Sequence, residues 1–323
     1  MKIVITGGCG FLGQKLAAAL RARGTAAGPG GAQTPISEIV CIDRQTPAEE
    51  LDGVTYIEAD ICAAGSFDAL IPEDTASIFH LAAVVSAHAE ADFDLGMQVN
   101  LDATRVLLER CRCLPDPPRL VFTSSVAAFG VAPSIVDDNT PVRPLNSYGV
   151  EKVIGEYLVG EYSRRGFIDG RVVRLPTVVI RPGKPNKAAS SFASSILREP
   201  LQGLKAVCPV SDELAIWIKS PRAATTDLMH AHDLPPDSWP DGLRVVNLPG
   251  LTVTVAEMVA ALERAGGDAG LISWEHDLNI ESIVRAWPEG MITERANALG
   301  FEADESIDAV IQEFLTDELE QTS

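Results

Sequence analysis

Short apolar runs recur through the first half of the chain, each followed by a stretch with helical spacing. "KIVIT" (2–6) reads as a buried strand, and Phe11, Leu12, Leu16 and Leu20 then mark one face of a helix. Further strands are predicted at "EIVCID" (38–43), "VTYIEAD" (54–60) and "SIFHLAA" (77–83). A long helix over roughly 92–112 precedes the strand "RLVFTSS" (119–125). An amphipathic helix opening at "SYGVEKVIGEY" (147–157) leads to the strand "GRVVRL" (170–175). Apolar strands alternating with helices predict an α/β fold, a doubly wound parallel sheet covered on both faces.

After Pro182 the texture becomes shorter and more mixed, with prolines at 200, 209, 221, 235, 236, 240 and 249. The pattern predicts a main domain over 1–180 and a smaller α/β region over 181–323. One strand, "LRVVNL" (243–248), is expected to return to the main sheet. Residues 301–320 carry no Lys or Arg, but Ile307, Ile311, Phe314 and Leu315 form a stripe, which predicts a docked helix with an acidic back. The stretch "GTAAGPGGAQTP" (24–35) is expected to be a flexible surface loop.

Hydrophobic residues make up 46% of the 323, ample for a large core. Against 45 acidic residues stand 26 basic ones, a net charge of −19 that repels phosphate backbones and argues against nucleic acid or anionic membranes as partners. An anionic small substrate would need a locally basic pocket. No run of 18 apolar residues and no apolar signal segment is present, so a cytoplasmic protein is expected. The six cysteines (Cys9, Cys41, Cys62, Cys111, Cys113, Cys208) lack zinc spacing and read as buried free thiols. The five histidines form no ligand pair, so no metal is expected.

"TGGCGFLG" (6–13) lies where the first strand hands over to the first helix. Its glycines satisfy both G-x-G-x-x-G (Gly8, Gly10, Gly13) and the spaced form from Gly7 through Gly10 to Gly13. In that position they allow a tight turn and bring a helix N-terminus up to a pyrophosphate, the Rossmann arrangement. A P-loop needs Gly-Lys-Ser/Thr at its end, and this chain has Gly13-Gln14-Lys15. Asp43, ending the second strand, can accept hydrogen bonds from ribose hydroxyls and repel a 2′-phosphate, which points to NAD. Arg44 beside it leaves NADP as the alternative.

Ser125 ends the fifth strand, at the edge where open parallel sheets bind ligands. Tyr148 and Lys152, four apart, share a helix face; they can simply pack together, or carry a proton beside a fixed cation. With Ser125 they make a set suited to moving a hydride off a secondary alcohol. The glycine motif, Asp43, "HLAA" (80–83), Asn100, Ser125 and Tyr148-x-x-x-Lys152 resemble the extended short-chain dehydrogenase/reductases, which include NAD-dependent sugar-nucleotide epimerases and dehydratases. The resemblance covers nearly the whole chain, "RVVNLPG" (244–250) included. It implies that Gly7, Gly10, Phe11, Leu12, Gly13, Asp43 and Arg44 hold the cofactor. Asp60 and Ile61 would flank the adenine, Leu81, Ala82, Ala83 and Asn100 would line the cofactor, and Pro176 and Val178 would lie near the nicotinamide.

More narrowly, "AAVVSAHAEADFDLG" and "RLPTVVIRPGKPNKAASSFASSILREPL" resemble members of that family that oxidise the C2 hydroxyl of a four-carbon sugar acid. The likeness implies Tyr148 as general base, Lys152 on the ribose, and Ser86, Ser125 and Thr177 at the substrate. Lys184, Asn186, Lys187, Ser190 and Ser191 are candidates for its carboxylate and hydroxyls, with a solvated loop as the alternative. Val84 and Thr177 depart from residues common in epimerases and weaken a nucleotide-sugar substrate. That activity remains the rival, followed by a non-catalytic dinucleotide sensor. The long helices at 92–112 and 147–164 fit a homodimer by the same likeness.

Overall fold

The computed structural model describes residues 1–28, 30–130, 132–185, 188–239 and 244–319. Seven strands form the central sheet: β1 (Lys2–Thr6), β2 (Glu38–Asp43), β3 (Thr55–Glu58), β4 (Thr75–His80), β5 (Arg119–Ser125), β6 (Asp169–Leu175) and β7 (Val245–Asn247). Every neighbouring pair is parallel, in the order β7-β6-β5-β4-β1-β2-β3. The order reverses beside β1, so a crevice opens at the carboxyl ends of β1 and β4. The strand expected at 243–248 does join the main sheet, at its edge beside β6.

Alternation along the strands divides the core. Ile3 and Ile5 face one layer, where Leu16 and Leu20 of α1 (Phe11–Arg23) meet Phe79, Val121, Leu228 and Val246. Val4 faces the other, with Ile78, Phe122, Val172, Leu107 of α2 (Ala103–Arg112) and Val159 of α3 (Ser147–Arg164). The region after Pro182 has its own core, built from α4 (Ser191–Leu201), the strand Ala215–Lys219 and the helices Val255–Arg264 and Ile307–Phe314. However, α5 (Pro221–Asp233) packs back on α1 and the main sheet. The acidic-backed helix is docked as expected, with Ile307, Ile311 and Phe314 buried.

Three expectations need correction. Residues 24–35 are not a loose loop: Thr25–Ala27 pairs antiparallel with Gln33–Pro35. Ala26 and Ala27 are buried, and Ala27 donates to Asp233 (3.0 Å) and accepts from Arg119 (2.6 Å). The helix expected over 92–112 is interrupted by a π-helical turn, Met97–Asp102. There Asn100 turns inward to bond the backbone of Val84 and the Glu151 carboxylate, partners a straight helix would not give it. Of the cysteines, Cys41, Cys111 and Cys208 are buried free thiols, but Cys113 is exposed and Cys9 and Cys62 are half-buried.

A buried ion pair ties α3 to the sheet. Glu156, fully buried, accepts two bonds from Arg174 of β6 (2.8 and 2.6 Å) and one from Ser124 of β5 (2.5 Å). Arg174 also lies 5.1 Å from the centre of the Phe129 ring. Removing one partner of such a pair strands a charge in the core. Glu156→Ala is expected to lower unfolding stability in urea by about 3–5 kcal/mol. A loss below about 1 kcal/mol, the size of an exposed pair, would overturn that account.

Candidate active site

A cavity of about 640 Å³ runs along the carboxyl edge of the sheet. At one end lies the glycine turn. Gly7 has φ +70°, and a Cβ there would sit 2.7 Å from the Ala82 nitrogen. A Cβ on Gly13 would fall 2.4 Å from the Gly7 oxygen, so the turn can close on α1 only with glycine at both positions. Gly10 is the N-cap of α1 and offers no side chain to its first N–H groups, leaving them to an incoming oxygen.

Asp43 reaches the cavity from the end of β2. Its carboxylate accepts from the Cys9 N–H (3.1 Å) and the Arg44 N–H (2.8 Å), which fixes its direction. Phe11, Leu12, Arg44, Asp60, Ile61, Leu81, Ala82 and Ala83 also line the cavity. A glycine cradle at a helix start with a fixed acid beyond it fits an adenine dinucleotide.

At the other end Ser86, Ser125, Tyr148, Lys152, Pro176, Thr177 and Val178 converge. Asn146 caps α3 by accepting from the Gly149 N–H (2.8 Å), so Tyr148 sits in the first turn and Lys152 one turn on. Lys152 Nζ lies 4.9 Å from the centre of the Phe122 ring and 5.6 Å from that of Tyr148. Burial lowers the Lys152 ammonium to about 8, against the pull of Glu151 and Glu156. Burial also pushes the Tyr148 phenol up to about 12, while the Arg181 charge and a hydrogen bond with Ser125 draw it down. Beneath, His80 bridges Thr6 (2.6 Å) and Thr104 (3.0 Å), and burial holds it far below its usual range, at about 3.

Not every expected residue is in the cavity. Asn100 lies behind it, fully committed to Val84 (2.7 and 2.9 Å) and Glu151 (2.6 Å). Lys184 is exposed and away from the lining, and Asn186 and Lys187 lie outside the described residues. The sequence reading missed Arg181, which lines the cavity and hydrogen-bonds Val178 O (3.0 Å) and Ser190 Oγ (3.2 Å). Its signal was its place: it opens "RPGKPNK" shortly after β6, which ends at Leu175 on the sheet's ligand edge. Trp287 was missed as well.

Residues 3–234 match the model of the NAD dependent epimerase/dehydratase family. The chain belongs to that family. It is 50% identical over 321 residues to D-erythronate dehydrogenase of Cupriavidus necator, covering 98% of each chain. The Haemophilus influenzae protein of the same name is 46% identical, over 98% of this chain and 99% of that one. In three dimensions the fold is similar to the nucleoside-diphosphate-sugar epimerase from Agrobacterium tumefaciens. The TM-score is 0.90 at 40% identity, over 99% of this chain and 95% of that one. Among the described residues no group of side chains could hold a metal, and no helix is long and apolar enough to cross a membrane.

The Asp43 geometry sets the cofactor test. Catalytic efficiency is expected to favour NAD over NADP by about tenfold or more, the scale of one charged contact at 1.4 kcal/mol. Asp43→Ala should narrow the gap. Equal efficiency in the unaltered enzyme would transfer the ribose end to Arg44.

Proposed function

We propose that this protein is an NAD-dependent dehydrogenase that oxidises the C2 hydroxyl of a short sugar acid, D-erythronate first, to 2-dehydro-D-erythronate. The observation that carries the reading is Arg181. Its guanidinium stands beside Tyr148 at the end of the cavity and has no carboxylate partner among the described residues. A partly buried charge favours a counter-ion, and beside Tyr148 a substrate carboxylate supplies one. In a chain of net charge −19, this cation is also what holds an anion against the protein's own field. The two relatives named D-erythronate dehydrogenase support the choice of acid.

When bound along the glycine turn, NAD supplies the hydride-accepting ring. The chain's own residues handle the proton and the alignment. Ser125 holds the substrate oxygen, Tyr148 takes its proton, and Lys152 binds the cofactor ribose while adding positive charge. The Arg181 charge is the main influence drawing the Tyr148 phenol down, so binding the acid and readying the base fall partly to one side chain. Ser86 and Thr177 face the substrate space. The same reading includes a cytoplasmic homodimer: Val150, Ile154 and Tyr157 form an exposed stripe on α3, with exposed Val106 on neighbouring α2. A two-fold contact through these helices would cover it.

The Agrobacterium protein's name favours a second reading, interconversion of a sugar nucleotide on a recycled cofactor. The two differ in one measurement. With NAD and D-erythronate, NADH should accumulate stoichiometrically; its absence with every short aldonic acid, alongside turnover of a sugar nucleotide, would install the epimerase. Tyr148→Phe is expected to cut turnover by about a hundredfold or more with NAD binding retained. Arg181→Met should raise KM for the acid by about tenfold to a hundredfold, one charge-assisted hydrogen bond, and leave KM for NAD nearly unchanged.

A further inference from the structure

The cavity draws almost all its walls from one half of the chain. Among the described residues, every one that lines it lies between 7 and 190, with one exception, Trp287. This side chain stands at the substrate end. It packs on the small cluster containing Val126 and Phe129, next to Ser125, and on the larger cluster built on Phe192, Ile196 and Val284. Its backbone is pinned: Trp287 N–H bonds Val284 O (3.0 Å), and the Gly290–Met291 strand that follows pairs with Ile135–Val136. Glu289 is held from both sides, its N–H on Ser134 O (2.8 Å) and its carbonyl accepting from Thr252 Oγ1 (2.9 Å). An indole wedged between two clusters on a pinned backbone cannot swing aside without breaking packing.

We infer that Trp287 is the wall that sets substrate length, closing the site behind a four-carbon acid and excluding longer chains. This rests on the sugar-acid reading above. The cavity volume agrees, because about 640 Å³ is the size of a pocket for one larger ligand. The wall works by bulk, so the expected signature is a change of preference among homologous substrates.

The test compares four-, five- and six-carbon aldonic acids with NAD, following NADH, in the unaltered enzyme, Trp287→Phe, Trp287→Leu and Trp287→Ala. Each methylene-sized step in a fitted pocket is worth roughly tenfold or more in kcat/KM. The ratio of six- to four-carbon efficiency is expected to rise at least about tenfold in Trp287→Ala, less in Trp287→Leu, and little in Trp287→Phe. The NAD Kd should be unchanged. If the alanine variant loses NAD binding, the leucine variant carries the comparison. An unchanged ratio in a variant that binds NAD normally overturns the wall and leaves the dehydrogenase reading intact. No oxidation of any aldonic acid by the unaltered enzyme overturns both.

Discussion

The buried contact between Glu156 and Arg174 holds the rest of the site in register. One carboxylate takes two bonds from β6 and a third from Ser124 of β5. Helix α3 is thereby fixed in height and rotation against two adjacent strands. Its first turn then has no freedom: Tyr148 and Lys152 must meet Ser125, the residue after Ser124. A purely apolar interface would bury as much surface but would tolerate a slide along the helix axis. The directional bonds specify one position, and a proton-transfer site needs that position to within a fraction of an ångström.

Electrostatically the molecule is divided against itself. Its surface is strongly acidic, while the substrate end of the cavity holds Lys152 and Arg181, each with its pKa lowered by burial. Keeping two cations in a low-dielectric space is unfavourable, and Arg181 has no acidic partner among the described residues. Active sites accept such costs where a charged ligand or a developing charge relieves them. The same burial that lowers Lys152 raises Tyr148, so the phenol depends on its neighbours' charge to act near neutrality.

Much of this was legible in the sequence, because glycine turns, strand-end acids and helix spacing are local signals. The parallel sheet and the places of Gly7, Gly13, Asp43, Ser125, Tyr148 and Lys152 along one cavity follow from position within a β–α alternation. What escaped depends on distant parts of the chain. Arg181 and Lys184 look alike in "RPGKPNK", and only the bonds to Val178, Ser190 and Ser194 turn the first inward while the second stays in solvent. Asn100 reads as a cofactor residue by its motif, yet the π-turn commits it to Val84 and Glu151. Trp287 carries no local mark at all. The 24–35 stretch looked loose because composition does not reveal that Ala27 meets Arg119 and Asp233.

The place of β7 has a consequence for how the protein is made. This strand completes the sheet beside β6, yet it lies after α4, α5 and the strand at 215–219. A ribosome that has released residues 1–180 has delivered six strands whose outermost member, β6, still shows an unpaired edge and an uncovered apolar face. Such edges invite pairing between nascent chains. The sheet becomes safe only once β7, ending at Asn247, has emerged, so the two halves of the chain must fold together rather than in sequence.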